Sequence, residues 1–404
     1  MKNQLLKITA LSAITSSVLM ASGYKIPETS MNSVALSGAN IAHVKEADAA
    51  YDNPANMVFM GDNNHMEVNL MYIGTSGTKY KGSYAGEGSY DISAEEQTFI
   101  IPSLHYVSPS IGDIGARFGL SMVVPGGLTR EWKEQPAQAT AEEFTLQIVE
   151  VNPTVALNIT DEISAAIGFR VVHSSGVVKS SSAASRDMEG NSIDYGYNIA
   201  LSYKPTNNID IGVTYRSNID LTIEGNAKLS IGDARVYNGG TSLTVPLPAA
   251  LNLAAAYTFA TKTTVEVVYE KTYWSTYEAI DFNYVSSIPS ILVPSFDNPV
   301  PRNWKDSQSL RLGITQELEN LTLMAGFVMD ETPTPEKTLG YESPGSDSIS
   351  MSFGTRYKIN NTIDVGIGAL YSMKEDRTVK NANIDGEFSN SNALLISAAL
   401  GYKF

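Results

Sequence analysis

The sequence contains no cysteine, and after residue 23 it has no uncharged apolar stretch of about 18 residues. The absence of cysteine excludes disulfide scaffolds, cysteine-ligated zinc, iron–sulfur clusters and thiol catalysis. The absence of a long apolar stretch excludes a helical membrane anchor in that part of the chain. Basic residues are outnumbered, 28 against 43 acidic ones, for a net charge of −15. Non-specific nucleic-acid binding needs a basic surface, so no nucleic-acid partner is expected.

Tyrosine and glycine are abundant, with 21 Tyr against 12 Phe and 3 Trp, and 31 Gly. Hydrophobic residues make up 43% of the chain, enough to bury a sizeable core. The mean hydropathy of −0.09 excludes a helical membrane protein. The same composition fits a class that hydropathy misses, the outer-membrane β-barrel, in which apolar and polar side chains alternate.

Residues 1–23 have the pattern of a secretory signal peptide. Lys2 and Lys7 give a positively charged start, an apolar stretch follows from Ile8 to Met20, and small residues close the segment. We expect it to be removed on export. A buried amphipathic helix is the alternative interpretation.

From residue 64 onward, side chains alternate with a period of two, the period of a strand with two unlike faces. The predicted strands are about ten residues long, which suits a tilted strand crossing hydrocarbon, whereas soluble strands average about five or six. Tyr and Phe gather at their ends, as in the aromatic girdles of transmembrane barrels. The predicted strands, about fourteen, are 64–74, 97–107, 114–124, 143–157, 162–174, 194–204, 209–222, 244–259, 263–272, 306–317, 321–330, 347–358, 363–373 and 393–404.

The connections between these strands alternate between short and long. Short turns on one side, long loops on the other and an even strand number are typical of bacterial outer-membrane barrels. We therefore predict an all-β fold, a transmembrane antiparallel β-barrel over residues 64–404, multi-pass in the bacterial outer membrane. A monomer is expected because a closed barrel has no free edge. The long connections are predicted at 75–96, 125–142, 175–193, 223–243, 273–305, 331–346 and 374–392.

The last predicted strand ends in Phe and has apolar side chains on one face. Tyr402 and Phe404 look like the signal that the barrel-assembly machinery recognises, so that machinery is an expected partner. A soluble edge strand that ends in Phe by chance is the alternative.

Residues 24–63 do not alternate, and small and polar residues dominate them. The stretch 32–50 suits short helices, and Asn53-Pro54-Ala55 is a turn former. A barrel of about fourteen strands leaves a lumen. We therefore predict that residues 24–63 plug the barrel.

Several motifs, in their order and spacing, resemble FadL-type long-chain fatty acid transporters. The resemblance covers essentially the whole mature chain, and in that family the N-terminal motifs belong to a hatch. The motifs are Gly23-Tyr24-Lys25-Ile26-Pro27, Ser37-Gly38-Ala39, Asp48-Ala49-Ala50, Asn53-Pro54-Ala55, Val151-Asn152-Pro153-Thr154, Tyr215-Arg216-Ser217, Pro246-Leu247-Pro248, Asn303-Trp304-Lys305-Asp306 and the terminal strand.

The resemblance implies passive uptake of hydrophobic compounds, long-chain fatty acids first, past the lipopolysaccharide. It implies capture in an external apolar groove, movement of the hatch, and lateral exit through the barrel wall near the third strand, which ends at Pro125-Gly126-Gly127. Outer-membrane lipid and lipopolysaccharide are then expected partners. Members of this family also take up aromatic hydrocarbons, and no residue here separates the two substrate classes.

The segment 280–300 and the long loop 125–142 are unusually apolar. Exposed apolar patches usually mark binding sites. Packing of one loop on the other is the competing interpretation. A carboxylated lipid also needs a cation at one end of an apolar pocket. Arg302 and Lys305 are the first candidates and Arg130 is the third, although a salt bridge of Lys305 to Asp306 or the hatch is equally open. The candidate apolar contacts are Leu128, Trp132, Phe282, Ile291 and Phe296.

The sequence offers no convincing catalytic constellation, so neither enzyme activity nor a metal or cofactor is expected. The 4 His are scattered, with no pair at metal-ligand spacing. His173 beside Ser174 and Ser175 is the arrangement that would suit a lipase, and a solvated histidine at a loop edge is the competing interpretation. Two non-enzymatic alternatives stay open: a surface adhesin and a general water-filled porin.

Overall fold

The computed structural model describes residues 23–112 and 115–404, and within them fourteen strands form one closed barrel. The predicted signal peptide lies outside the described residues except for Gly23. The strands are β1 His65–Thr75, β2 Gln97–Val107, β3 Arg117–Val123 continued by Gly127–Glu131, β4 Glu143–Asn158, β5 Ile163–Ser181, β6 Ala184–Thr206, β7 Ile209–Arg216 continued by Ile219–Ile231, β8 Ala234–Leu247 continued by Ala250–Thr258, β9 Thr263–Thr272, β10 Ser307–Glu317, β11 Leu321–Asp330, β12 Ser348–Lys358, β13 Ile363–Lys374 and β14 Ala393–Lys403.

The barrel closes because β1 pairs antiparallel with both β2 and β14. At that seam His65 lies opposite Lys403, and Thr75 lies opposite Ala393. The other neighbours along the chain are also antiparallel. The predicted all-β, fourteen-stranded antiparallel barrel is confirmed.

The two faces of the strands are inverted relative to a soluble protein. On β1 the apolar side chain of Leu70 is 54% exposed, whereas Glu67 and Asn69 are 1% and 2% exposed on the lumen side. The same alternation leaves Phe353 of β12 70% exposed on the outer wall. An apolar outer face and a polar interior are the arrangement that a membrane-spanning barrel requires.

Two segments predicted as long loops, 175–193 and 223–243, are instead strand hairpins. β5 runs on to Ser181 and β6 begins at Ala184, while β7 and β8 meet across a two-residue turn. The prediction was wrong because the apolar–polar alternation weakens above the membrane, where the outer face meets water. The inward side chains of these hairpins still pack together in one apolar cluster.

Helices in the described residues are short, and none is long and apolar enough to cross a membrane. Strands outside the barrel form a four-stranded sheet over the end with the long loops, the outer side in bacterial barrels. The helices are α1 Met31–Ala35, α2 Ala49–Asp52, α3 Gln138–Ala141 and α4 Val293–Phe296, with 3₁₀ turns Pro54–Phe59, Trp274–Thr276 and Glu336–Thr338. The strands of the outer sheet are Lys79–Tyr84, Glu87–Ser93, Arg377–Lys380 and Ile384–Ser389, and further short strands are Ala279–Ile280, Phe282–Tyr284 and Val300–Pro301.

Residues 24–60, the N-terminal segment, lie inside the lumen. Lumen-facing glycines let the segment approach the strands closely. A Cβ on Gly354 of β12 would lie 2.4 Å from the Cβ of Ala35, and a Cβ on Gly326 of β11 would lie 2.2 Å from the carbonyl carbon of Leu36. Contacts this short leave no room for a side chain on the barrel wall, which explains glycine at these positions.

Candidate functional site

Backbone groups of the N-terminal segment are held by side chains of the barrel wall. The carboxylate of Glu266 on β9 accepts hydrogen bonds from three successive amides, those of Ile41 at 2.8 Å, Ala42 at 2.6 Å and His43 at 3.2 Å. Glu266 is itself buried. One wall residue thus satisfies a loop that has no secondary structure of its own.

The acidic motif at Asp48 organises the segment internally. Its Oδ2 accepts hydrogen bonds from the hydroxyl of Ser30 at 2.8 Å and the amides of Asn32 at 2.9 Å and Asn40 at 3.0 Å. Burial raises the pKa of Asp48, while nearby Arg356 opposes that shift.

The Asn53-Pro54-Ala55 motif has a distinct structural role. The Asn53 Oδ1 caps the following 3₁₀ turn by accepting from the Ala55 amide, and its Nδ2 donates to the Ile41 carbonyl at 2.8 Å and to Ser202 of β6 at 3.0 Å. The motif therefore joins a turn to the wall.

A charged cluster links the segment to β9, β10 and β11. Arg311 lies 3.5 Å from Glu270, 3.4 Å from Asp330 and 3.6 Å from Glu28, and Lys25 pairs with Glu270 at 2.6 Å. Three carboxylates thus face two cations. Burial raises the pKa of Glu28 to about 7, and Arg311 opposes only part of this shift.

A cavity of about 490 Å³ lies beside His65 at the end of the barrel with the short turns, and the space deeper inside the lumen is smaller. A cavity of about 60 Å³ lies among Lys25, Arg216, Glu270 and Arg311. Ligand pockets usually measure about 300–1,000 Å³. The cavity of about 60 Å³ is therefore too small for a ligand of ordinary size.

The ladder between β2 and β3 is incomplete. The two strands pair from Leu104 to Val107 on β2, and in the described residues the upper part, 97–103, makes no ladder with β3. At the break between the two parts of β3, the N-terminal segment supplies the partner: the Ile26 amide donates to the Pro125 carbonyl, and the Gly127 amide donates to the Tyr24 carbonyl. A Cβ on Gly126 would lie 2.7 Å from the Tyr24 oxygen, which explains glycine there.

An outer cavity of about 600 Å³ opens among the long loops. Its apolar wall includes Phe144, Phe282 and Phe296, and its polar wall includes Arg186 and Arg302. The Arg302 guanidinium is buried and pairs with Glu342 at 2.9 Å.

The structure brings three predicted substrate contacts together, since Phe282, Phe296 and Arg302 all line the outer cavity. The other predicted contacts lie elsewhere. Lys305 and Ile291 are exposed, Leu128 is buried in the apolar cluster that also holds Tyr24, and Arg130 donates to the Thr78 hydroxyl at 2.7 Å. Trp132 is buried beneath the outer sheet, where its indole NH donates to the Tyr341 carbonyl at 2.9 Å.

Tyr402 and Phe404 lie on the outer face at the end of the barrel, with ring centroids 5.1 Å apart.

The lipase arrangement does not form. His173 is exposed on the outer face of β5, whereas Ser174 points inward and bonds Ser192 at 2.7 Å. Among the described residues no group of three or more His, Asp or Glu is arranged to hold a metal ion.

Sequence reasoning missed Arg186 altogether, because it sits in a segment predicted as a loop. A signal was available in the apolar inward residues that flank it, which continue the strand pattern into 184–193.

A closed barrel with an apolar outer face, a segment packed inside its lumen and a loop-lined outer cavity defines an outer-membrane transport protein. The chain belongs to the family described as outer membrane protein transport protein (OMPP1/FadL/TodX), whose model matches residues 12–404. It is 22% identical to the long-chain fatty acid transport protein of Escherichia coli (strain K12) over 97% of this chain and 96% of that protein. It is 22% identical to outer membrane protein P1 of Haemophilus influenzae, over 88% of both chains.

Solved structures share the fold. A Pseudomonas aeruginosa FadL homologue superposes with a TM-score of 0.83 at 17% identity, over 95% of this chain and 100% of that one. The P. putida toluene transporter TodX superposes with a TM-score of 0.75 at 17% identity, over 93% and 98%. Members of the family are outer-membrane transporters of hydrophobic compounds, not enzymes.

Proposed function

We propose that this protein takes up hydrophobic compounds passively across the outer membrane, with long-chain fatty acids as its substrates. One observation carries the proposal: the N-terminal segment packs inside the lumen and also supplies the partner of the break in β3. Movement of this single segment would open both the lumen and a path through the wall. In this sense it acts as a hatch.

The outer cavity is the proposed capture site, because its volume of about 600 Å³ is that of an ordinary ligand pocket. Phe282 and Phe296 contribute apolar wall for the hydrocarbon. Arg302 remains a candidate for headgroup contact, although its guanidinium also pairs with Glu342. Headgroup contact by Lys305 and by Arg130 stays a prediction that mutagenesis can test.

Exit is proposed to be lateral, between the upper part of β2 and the break in β3. Ile26 is buried there in one apolar cluster with Phe99, Ile101 and Val124. Withdrawal of Ile26 would leave an apolar opening toward the lipid. This route spares a hydrophobic compound from crossing the polar periplasmic end of the barrel.

Aromatic hydrocarbons are the second candidate substrates, because a wall of phenylalanines can hold a neutral ring without a charged partner. One of the structural relatives is described as a toluene transporter and the E. coli relative as a long-chain fatty acid transport protein. We further propose that the protein works as a monomer among outer-membrane lipid and lipopolysaccharide, inserted by the barrel-assembly machinery. The segment packed inside the lumen argues against a general porin, and a surface adhesin has no need of an internal hatch.

The absence of cysteine allows a direct test of hatch movement. The hydroxyl oxygens of Ser37 in the hatch and Ser352 of β12 lie 2.8 Å apart, so the two side chains meet and a cysteine pair can be placed at these positions. Cells that express Ser37→Cys/Ser352→Cys should take up labelled oleate when the pair is reduced and lose most of that uptake when it is oxidised. The two single variants serve as controls.

Equal uptake with the cysteine pair reduced and oxidised would reject gating by this segment. Wild-type protein that admits neither oleate nor toluene would reject transport. A large steady conductance in planar bilayers that hatch deletion barely alters would favour the porin.

A further inference from the structure

Arg186, near the start of β6, is a cation on the wall of the outer cavity. Its side chain is buried, with the residue only 8% exposed. The guanidinium lies over the ring of Phe282, 3.9 Å from the centroid, and 5.3 Å from the ring centroid of Phe296. The stacking fixes the plane of the guanidinium and leaves its edge for other partners.

Two of the three guanidinium nitrogens of Arg186 lack a hydrogen-bond partner in the described part of the chain. Its Nε and Nη1 atoms are buried and have no hydrogen-bond partner. Two other buried arginines are paired with carboxylates: Arg302 pairs with Glu342 at 2.9 Å, and Arg170 pairs with Glu150 at 2.9 Å. A buried cation without an anion is costly, so the site favours the arrival of an anionic group.

Other charged groups around the cavity do not supply that anion. Glu342 is already paired with Arg302. Asp187, next along β6, faces the other way and lies 3.6 Å from Lys228 on β7. Lys337 adds a further cation to the lining. The phenol of Tyr284 lies within hydrogen-bonding reach of Arg186, but it does not carry the negative charge of a carboxylate.

We propose that Arg186 is an anion-binding residue of the outer cavity that holds the carboxylate of an amphipathic substrate, with the hydrocarbon tail on Phe144, Phe282 and Phe296. The proposal rests on the proposed function and names the substrate class that the capture site prefers. A planar guanidinium can bind a carboxylate with two parallel hydrogen bonds. A neutral hydrocarbon would leave these donors unpaired, so the site selects fatty acids over aromatic hydrocarbons.

The test is equilibrium binding of labelled oleate and of oleyl alcohol, which has the same tail and no charge, to the purified full chain in an uncharged detergent. Arg186→Gln should weaken oleate binding by about tenfold or more and change oleyl alcohol binding by less than about threefold. Arg186→Lys keeps the charge and loses the two-pronged geometry, so its loss should be intermediate. Lys228→Gln, which removes a nearby cation outside the cavity, should match the wild type.

Three outcomes would overturn the proposal. Equal losses for oleate and oleyl alcohol would assign Arg186 a packing role, and unchanged oleate binding would remove it from the site. Competition of oleate by millimolar inorganic phosphate would show a general anion site and reject the preference for carboxylate. Each outcome is distinct from failure of the proposed function, in which wild-type cells take up neither oleate nor toluene. Retained heat-modifiable migration checks that each variant is folded.

Discussion

Removal of the Glu266 carboxylate is the most direct way to loosen the hatch without touching its sequence. The three amides of Ile41, Ala42 and His43 are bound by this one side chain and face the lumen wall. In Glu266→Leu all three lose their acceptor. A buried donor left without a partner costs about 1–3 kcal/mol.

At the low end of that range, three amides left without an acceptor destabilise the closed hatch by roughly 3 kcal/mol. Because about 1.4 kcal/mol corresponds to a factor of ten, the open population should rise by about 100-fold or more. Glu266→Gln keeps one carbonyl acceptor, so we expect a smaller rise, about tenfold.

Hydrogen exchange measured by mass spectrometry on the detergent-purified protein reads this population out peptide by peptide. Peptides from the hatch should exchange faster by these factors, while peptides from β10 to β14 keep wild-type protection. Glu317→Gln is the matched control, because Glu317 pairs with Lys45 at a more exposed site, where a pair contributes about 0.2–1 kcal/mol. Unchanged exchange at 41–43 in Glu266→Leu would refute the anchoring role.

Three further predictions concern the lumen and the wall. Glu28 has a pKa of about 7 in the folded protein and an ordinary value of 4.5, so its ionisation opposes hatch closure. The free energy that favours the closed hatch should be largest below pH 4.5 and should fall by at most about 3 kcal/mol as the pH rises to 7. Glu28→Gln should flatten this pH dependence, measured by hydrogen exchange. Gly354→Val should press on Ala35, cost about 1–3 kcal/mol and raise conductance in planar bilayers. Phe353→Arg should lower the free energy of unfolding by about 2–4 kcal/mol in urea titrations, because Phe353 faces lipid at mid-strand.

Each of these has an outcome that contradicts it. Hatch exchange that slows as pH rises would reverse the sign assigned to Glu28. Gly61→Ala is the control for Gly354, since a Cβ at Gly61 meets its nearest atom at 3.9 Å, and equal conductance in both variants would dismiss the close packing. Phe353→Leu should leave the urea midpoint nearly unchanged, and equal midpoints for Arg and Leu would place Phe353 outside the hydrocarbon.

Most of the barrel was predictable because its determinant is local. Alternation along a strand such as β13 reads directly from neighbouring residues, and hydrocarbon thickness sets the strand length. The strands of the upper hairpins were missed because outside the membrane the lipid no longer demands an apolar outer face. The cavity was only partly predictable: Phe282, Phe296 and Arg302 line it, whereas Trp132 packs beneath the outer sheet.

The sequence by itself determined the fold class, the strand count and the family, because periodicity, turn residues and ordered motifs are properties of short segments. Only the tertiary structure decided which of the arginines in the outer cavity pairs with a carboxylate. Arg302 and Arg186 are alike as residues, yet one meets Glu342 and the other meets two phenylalanine rings. Barrel closure and loop packing bring those partners together from distant parts of the chain, and no local pattern encodes that pairing.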